Sequence, residues 1–80
     1  MIRIKQYIDV DGISPFDRWF LDLNSEAAAK VTKAIYKLEL GNFSTVEGVG
    51  SGVYEQKIDF GPGYRVYFGK DGDEIIILLC

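Results

Sequence analysis

"VYEQKIDFGPGYRVYFGKDGDEIIILLC" (residues 53–80) holds three apolar runs divided by two glycine turns, and it reads as three consecutive β-strands. The first turn is Gly61-Pro62-Gly63. The second contains Asp71-Gly72, a pair that favours a tight type I′ hairpin. With "GPG" as a three-residue loop, Phe60 faces Tyr64, and counting outward sets Asp59 against Arg65, Ile58 against Val66 and Lys57 against Tyr67. Strand parity then turns Ile58, Phe60, Tyr64, Val66 and Phe68 to one face and Lys57, Asp59, Arg65 and Tyr67 to the other. At the second turn Lys70 pairs Asp73, which brings Ile76 beside Tyr67 and Leu78 beside Arg65, so the polar cluster is expected in a hollow floored by apolar side chains. A run as apolar as Ile75 to Cys80 expects cover on both faces. A contiguous exposed patch of this kind is uncommon on a free monomer, which predicts a covering segment or a partner.

Upstream, "MIRIKQYI" alternates Ile2, Ile4, Gln6 and Ile8 against Arg3, Lys5 and Tyr7, the period of a half-buried strand. After the "DVDG" turn, Ser14, Pro15 and Asp17 read as an N-cap, a first-turn proline and an approximate capping box. The helix they open carries Phe16, Trp19, Phe20 and Leu23 at the i, i+3, i+4, i+7 spacing of one buried stripe. Asn24-Ser25 interrupts it. Ser25 with Glu26 is expected to cap a second helix with Ala27 or Ala28, Val31, Ile35 and Leu38 inside, ending near Gly41. Its other face bears Lys30, Lys33 and Lys37, a pattern that belongs first to a solvated helix face. The glycine-rich "GNFSTVEGVGSG" (residues 41–52) reads as a mobile connection. The expected order is β-α-α-β-β-β: an α+β fold, a helical hairpin packed on an antiparallel-rich sheet, in a single domain spanning residues 1–80.

Eighty residues make one modest core, and an apolar fraction of 48% with a net charge of −3 is far from the composition of disorder. The negative balance argues against generic polyanion binding, so any RNA contact must be a local patch. With one cysteine there is no internal disulfide, and nothing has the pattern of a signal peptide or a membrane span, so a cytoplasmic location without a membrane partner is expected. Histidine is absent and a single cysteine makes no zinc site. Metal-assisted hydrolysis and Ser-His or Cys-His catalysis lose their usual parts, and neither metal nor cofactor is expected.

A face carrying Lys, Arg and Tyr suits work on a phosphodiester. Arg grips the phosphate in a bidentate fork and stabilises charge growing on its oxygens, while Lys or Tyr handles protons or adds charge. RNA is the matching substrate because its 2′-hydroxyl can serve as internal nucleophile. The plainer reading of the same residues is a cross-strand ion pair between Arg65 and Asp59, worth a few tenths of a kcal/mol, beside ordinary surface positions for Lys57 and Tyr67.

The stretch "GVYEQKIDFGPGYRVYFGKDGDEIIILLC", preceded by a strand, "SPFDRWFLDL" and a lysine-bearing helix, closely resembles the addiction-module killer proteins, HigB-like toxins of the RelE/ParE superfamily. "GVYE", "DFGPGYRVYF" and "ILLC" fall in the family's order, and the resemblance covers essentially the whole chain. It implies the toxin of a bacterial type II toxin–antitoxin system, a metal-independent endoribonuclease that cleaves messenger RNA at the ribosome and is silenced by a cognate antitoxin. By the same resemblance Arg65 matches the family's phosphate-binding arginine and Lys57 a basic residue of the preceding strand. The candidate site read from the strands adds Tyr67, Tyr64 and Asp59 as supporting or RNA-binding residues. Two departures stand out. Members run on past "LLC" through a "GG-x-K" turn into a basic C-terminal helix, so a shortened form with weakened nuclease activity is expected. Glu55 and Gln56 also stand near where some members carry a second strand lysine. The resemblance leaves an alternative, a non-catalytic protein that binds an antitoxin or inhibits DNA gyrase as the ParE branch does.

Overall fold

The computed structural model describes residues 2–79; Cys80, to which the last strand was expected to run, lies outside them. Strand β1 (Arg3–Gln6) is followed by helices α1 (Pro15–Leu21) and α2 (Ser25–Glu39) and then by β2 (Val46–Gly50), β3 (Val53–Ile58), β4 (Tyr64–Asp71) and β5 (Glu74–Leu79). The fold is α+β. Its five strands form one mixed sheet in the order β1-β5-β4-β3-β2, with β1 parallel to β5 and every other pair antiparallel.

The helices start where local chemistry allows. Ser14 Oγ accepts the Asp17 N–H at 3.1 Å, and Pro15 occupies a position whose N–H would have no helical partner. The cap of α2 is Asn24, not Ser25: Asn24 Oδ1 accepts the Ala27 N–H at 2.8 Å, and Ser25 is the first helical residue. An asparagine in extended backbone one residue earlier reaches that amide, so the helix starts there. At its far end Gly41 N donates to Leu38 O and Asn42 N to Lys37 O, a Schellman closure that satisfies two of the last carbonyls.

The core lies between the helices and one face of the sheet. Val31, Ala34 and Leu38 of α2 and Phe16 of α1 meet Ile58, Val66, Phe68, Ile75 and Ile77. Burying a side chain such as Leu38, Phe68 or Ile75 stabilises by about 1.5–3 kcal/mol each, and in so small a domain that carries much of the net stability. The inner stripe of α2 is Ala27, Val31, Ala34 and Leu38, with Ile35 at its half-buried margin. The apolar β5 is explained by its place: it is a central strand, flanked by β1 and β4, with Ile75 and Ile77 in the core.

Three expectations are corrected. Residues 46–50 of the glycine-rich segment form an edge strand rather than a mobile connection; Gly48 lies across from Tyr54, whose ring covers it, and the pairing is bulged between Gly48 and Gly50. Both hairpin registers also move by two residues. In the first, a turn closed by Gly63 N donating to Phe60 O (2.9 Å), with Gly61 at φ +58°, takes Asp59 and Phe60 out of the ladder, so Ile58 pairs Tyr64. In the second, Gly72 (φ +60°) takes the first central position of the turn while Asp73 keeps a negative φ, the type II′ pattern instead of I′, and Asp71 pairs Glu74. Because each slip is even, side chains keep their expected faces up to the further one-residue shift between Tyr67 and Phe68.

The outer face differs from the apolar hollow expected of it. Ile76 and Leu78 are half-buried and stand beside neither Tyr67 nor Arg65: Ile76 faces Gly69, and Leu78 is the extra residue where the register shifts between Tyr67 and Phe68. Lys5 lies across from Ile76 and reaches Glu74 Oε2 at 3.2 Å, where Arg3 also binds at 2.7 Å. The long side chain of Lys5 thus stands beside Ile76 with its charged head toward water.

Candidate functional site

Lys57 and Arg65 are directly opposed in the β3–β4 register, so both side chains leave the same face of adjacent strands. Side chains so paired have Cβ atoms about 4.5–5.5 Å apart. The preceding row on the same face is Glu47–Glu55–Tyr67, running across β2, β3 and β4. Two carboxylates placed opposite each other repel, and the cations of the neighbouring row offset this: Lys57 Nζ lies 3.8 Å from Glu47 Oε2, and Arg65 Nε lies 3.0 Å from Glu55 Oε1. The result is a charge square with the two carboxylates on one edge and the two cations on the opposite edge.

Its corners differ in solvation. The side chains of Lys57, Glu47 and Arg65 are 52%, 66% and 61% exposed, whereas that of Glu55 is only 8% exposed. Although Arg65 Nε is close, no N–H is aimed at Glu55 Oε1, and that oxygen has no hydrogen bond. The contact is thus ionic rather than directional. A guanidinium carries five N–H donors, so one carboxylate oxygen does not exhaust it, and Arg65 can still grip an anion from the solvent side.

The expected ion pair between Arg65 and Asp59 does not form. Asp59 sits exposed in the turn, and Glu55 takes the arginine instead. Lys57, which was expected across from Tyr67, faces Arg65, and Tyr67 faces Glu55. Tyr64 turns to the helix side, its ring edge-on to Trp19 at 5.9 Å, as parity requires. Yet Tyr64 and Tyr67 both border one hollow of about 310 Å³, with Trp19, Gly63 and Arg65. It lies toward the Tyr64 end of β4, past the pairing of Tyr67 with Leu79, the last β4–β5 pair among the described residues. A second hollow, of about 270 Å³, adjoins on the other side of Arg65 and is walled by Lys57, Asp59, Pro62, Gly63 and Tyr64.

Besides Glu47 and Trp19, sequence reasoning left Glu55 of the site unassigned. Its shared parity with Lys57 was the available signal, but alternation alone cannot show that an outward-facing carboxylate is buried. Among the described residues no cluster of three or more acidic, histidine or cysteine side chains could hold a metal ion, and no helix is long and apolar enough to cross a membrane. A larger hollow, of about 710 Å³, is elsewhere, with Phe16, Phe20, Ile35 and Tyr36 in its mostly apolar wall.

The chain is 42% identical over 74 residues to an uncharacterised protein of Haemophilus influenzae, an alignment that takes in 91% of this chain and 75% of the relative. The chain belongs to that protein's family. No family model and no solved structure matches it.

Proposed function

We propose that this chain is the toxin of a bacterial type II toxin–antitoxin system, acting in the cytoplasm as a metal-independent endoribonuclease on messenger RNA at the ribosome. What supports the reading is the register that sets Lys57 directly across from Arg65 on one face, with hollows on both sides of the arginine. In the proposed reaction the 2′-hydroxyl of RNA gives its proton to solvent water as its oxygen bonds to phosphorus, while the bond to the 5′-oxygen breaks and that oxygen takes a proton, leaving a 2′,3′-cyclic phosphate and a 5′-hydroxyl. Arg65 holds the non-bridging oxygens and stabilises the charge that grows there. Lys57 supplies a second positive charge or the proton for the leaving oxygen. Glu55 is a positioning residue that holds Arg65 from behind. Tyr67 and Tyr64, with Trp19, offer faces on which a base can stack. The partner is a cognate antitoxin, and the apolar groove at Phe16, Phe20, Ile35 and Tyr36 suits a helix or extended segment of it.

Induction of the chain in bacteria should arrest growth and cut messenger RNA, and Arg65→Ala should abolish both. A chain without effect on either, or an Arg65→Ala variant as toxic as its parent, refutes the nuclease reading.

One observation favours a second reading, a non-catalytic protein that binds an antitoxin or inhibits gyrase: Lys57 and Arg65 each already face a carboxylate. A gyrase supercoiling assay beside a ribosome-dependent cleavage assay separates the two.

A further inference from the structure

Three lysines that no ion pair among the described residues engages stand beside the charge square. Lys30, Lys33 and Lys37 follow one another along α2 and, with Thr45, Gln56 and Lys57, line a hollow of about 270 Å³ between the helix and the end of β3. Among the described residues the ion pairs use Arg3, Lys5, Lys57 and Arg65, and none uses a lysine of α2. One carboxylate, Asp59, stands in the same wall. In a chain of net charge −3, four of nine basic residues therefore border one groove. That is the local patch that nucleic-acid binding by an acidic protein requires.

The groove has a fixed polar floor. Gln56 is 3% exposed, and its Nε2 donates to Thr45 Oγ1 at 2.7 Å and to the Lys57 carbonyl at 2.8 Å. The carbonyl dictates which end of the amide faces it, since an oxygen there would meet another oxygen. With its oxygen accepting from Gln56, the Thr45 hydroxyl directs its own hydrogen elsewhere, and the hollow it lines is where an acceptor can meet it. Gln56 also ties the backbone at Lys57 to the groove.

The hollows share walls. Lys57, Ile58 and Asp59 wall both the lysine groove and the hollow at Arg65, and Arg65 walls that hollow and the aromatic one. From Lys30 to Lys37 the helix rises about 10 Å, enough to face more than one phosphate of an extended strand. We propose that the Lys30–Lys33–Lys37 ridge with Thr45 is a second phosphate-binding subsite, holding the single-stranded RNA backbone that flanks the phosphodiester placed at Arg65 and Lys57. The subsite deepens the nuclease reading and rests on it for the position of the reacting bond alone.

The test is binding of a fluorescent, fully 2′-O-methylated oligoribonucleotide, which cannot be cleaved, measured by anisotropy across a salt series. The wild-type chain should bind with an affinity that falls steeply with salt. Lys30→Gln/Lys33→Gln/Lys37→Gln should keep its melting temperature, bind roughly tenfold or more weakly at low salt, and lose about 2 from the slope of log K against log salt, at about 0.7 per phosphate contact on a single strand. An unchanged slope and affinity overturn the subsite, as does an oligonucleotide that the wild type does not bind. Lysine-dependent binding of a poly-glutamate peptide in place of RNA overturns it too and makes the ridge a protein-docking surface. Cleavage of an unmodified oligonucleotide is followed in parallel. Lysine-dependent binding without cleavage leaves the subsite standing and removes the nuclease reading, whereas cleavage that the triple variant performs as well as wild type does the reverse.

Discussion

The contact between Arg65 and Glu55 predicts that replacing the candidate catalytic arginine also weakens the fold. Glu55 is the buried partner, its side chain 8% exposed and its Oε1 without a hydrogen bond, and Arg65 is its cationic neighbour. Removing one member of a fully buried pair costs about 3–5 kcal/mol, while exposed pairs contribute about 0–1 kcal/mol. Arg65 is 61% exposed, so solvent screens much of the contact. The expected cost of Arg65→Ala therefore lies between those limits, at about 1–2 kcal/mol. For a domain of this size that lowers Tm by roughly 5–15 °C. Glu55→Gln removes the buried charge and keeps the shape, so it should be neutral or slightly stabilising, and in its background Arg65→Ala should cost only a few tenths of a kcal/mol. Urea unfolding of the four proteins measures this directly: the midpoints should shift at constant m, with a coupling of about 1 kcal/mol between the two sites. An Arg65→Ala cost that is the same in both backgrounds refutes the buried-carboxylate argument. The cycle also serves the functional test, because the Glu55→Gln/Arg65→Ala double variant lacks the arginine in a protein whose stability is restored.

Other variants probe the elements that place the site. Asn24→Ala removes the acceptor of the Ala27 N–H and should cost about 1 kcal/mol, read as a lower Tm by circular dichroism, whereas Ser25→Ala should cost far less. Gly72→Ala forces a side chain into the φ +60° of the β4–β5 turn and should destabilise by about 1 kcal/mol, although nothing lies within contact distance of the added methyl, so the effect isolates backbone strain in urea unfolding.

Parity was the legible part of the site. Lys57 and Arg65 share a face whether the first hairpin closes on three residues or five, because both registers are separated by an even step, and so the shared face survived a wrong turn type. Partners were less legible. Which acid reaches Arg65 depends on the exact register, and the two-residue slip exchanged Asp59 for Glu55. Burial of Glu55 was invisible because strand alternation assigns an outward residue to solvent, and only the surrounding side chains of three strands withdraw it. The edge strand β2 was missed for a related reason: Gly48 and Gly50 carry no hydrophobic signal, and the ring that covers Gly48 comes from Tyr54 on the next strand. The place of β1 beside β5 joins nearly the two ends of the chain, a contact on which no local pattern bears.

The account stands on Lys57 and Arg65 acting together on a phosphodiester. The most direct measurement is ribosome-dependent cleavage of messenger RNA in the presence of EDTA, with the product ends identified, by wild type, Lys57→Ala and the Glu55→Gln/Arg65→Ala variant beside Glu55→Gln alone. The account predicts 2′,3′-cyclic phosphate ends from wild type, fewer from Glu55→Gln, whose arginine is less firmly held, sharply fewer from Lys57→Ala, and none from the variant without Arg65 although it remains folded. Undiminished cleavage by the folded protein that lacks Arg65, or no cleavage by wild type, contradicts it.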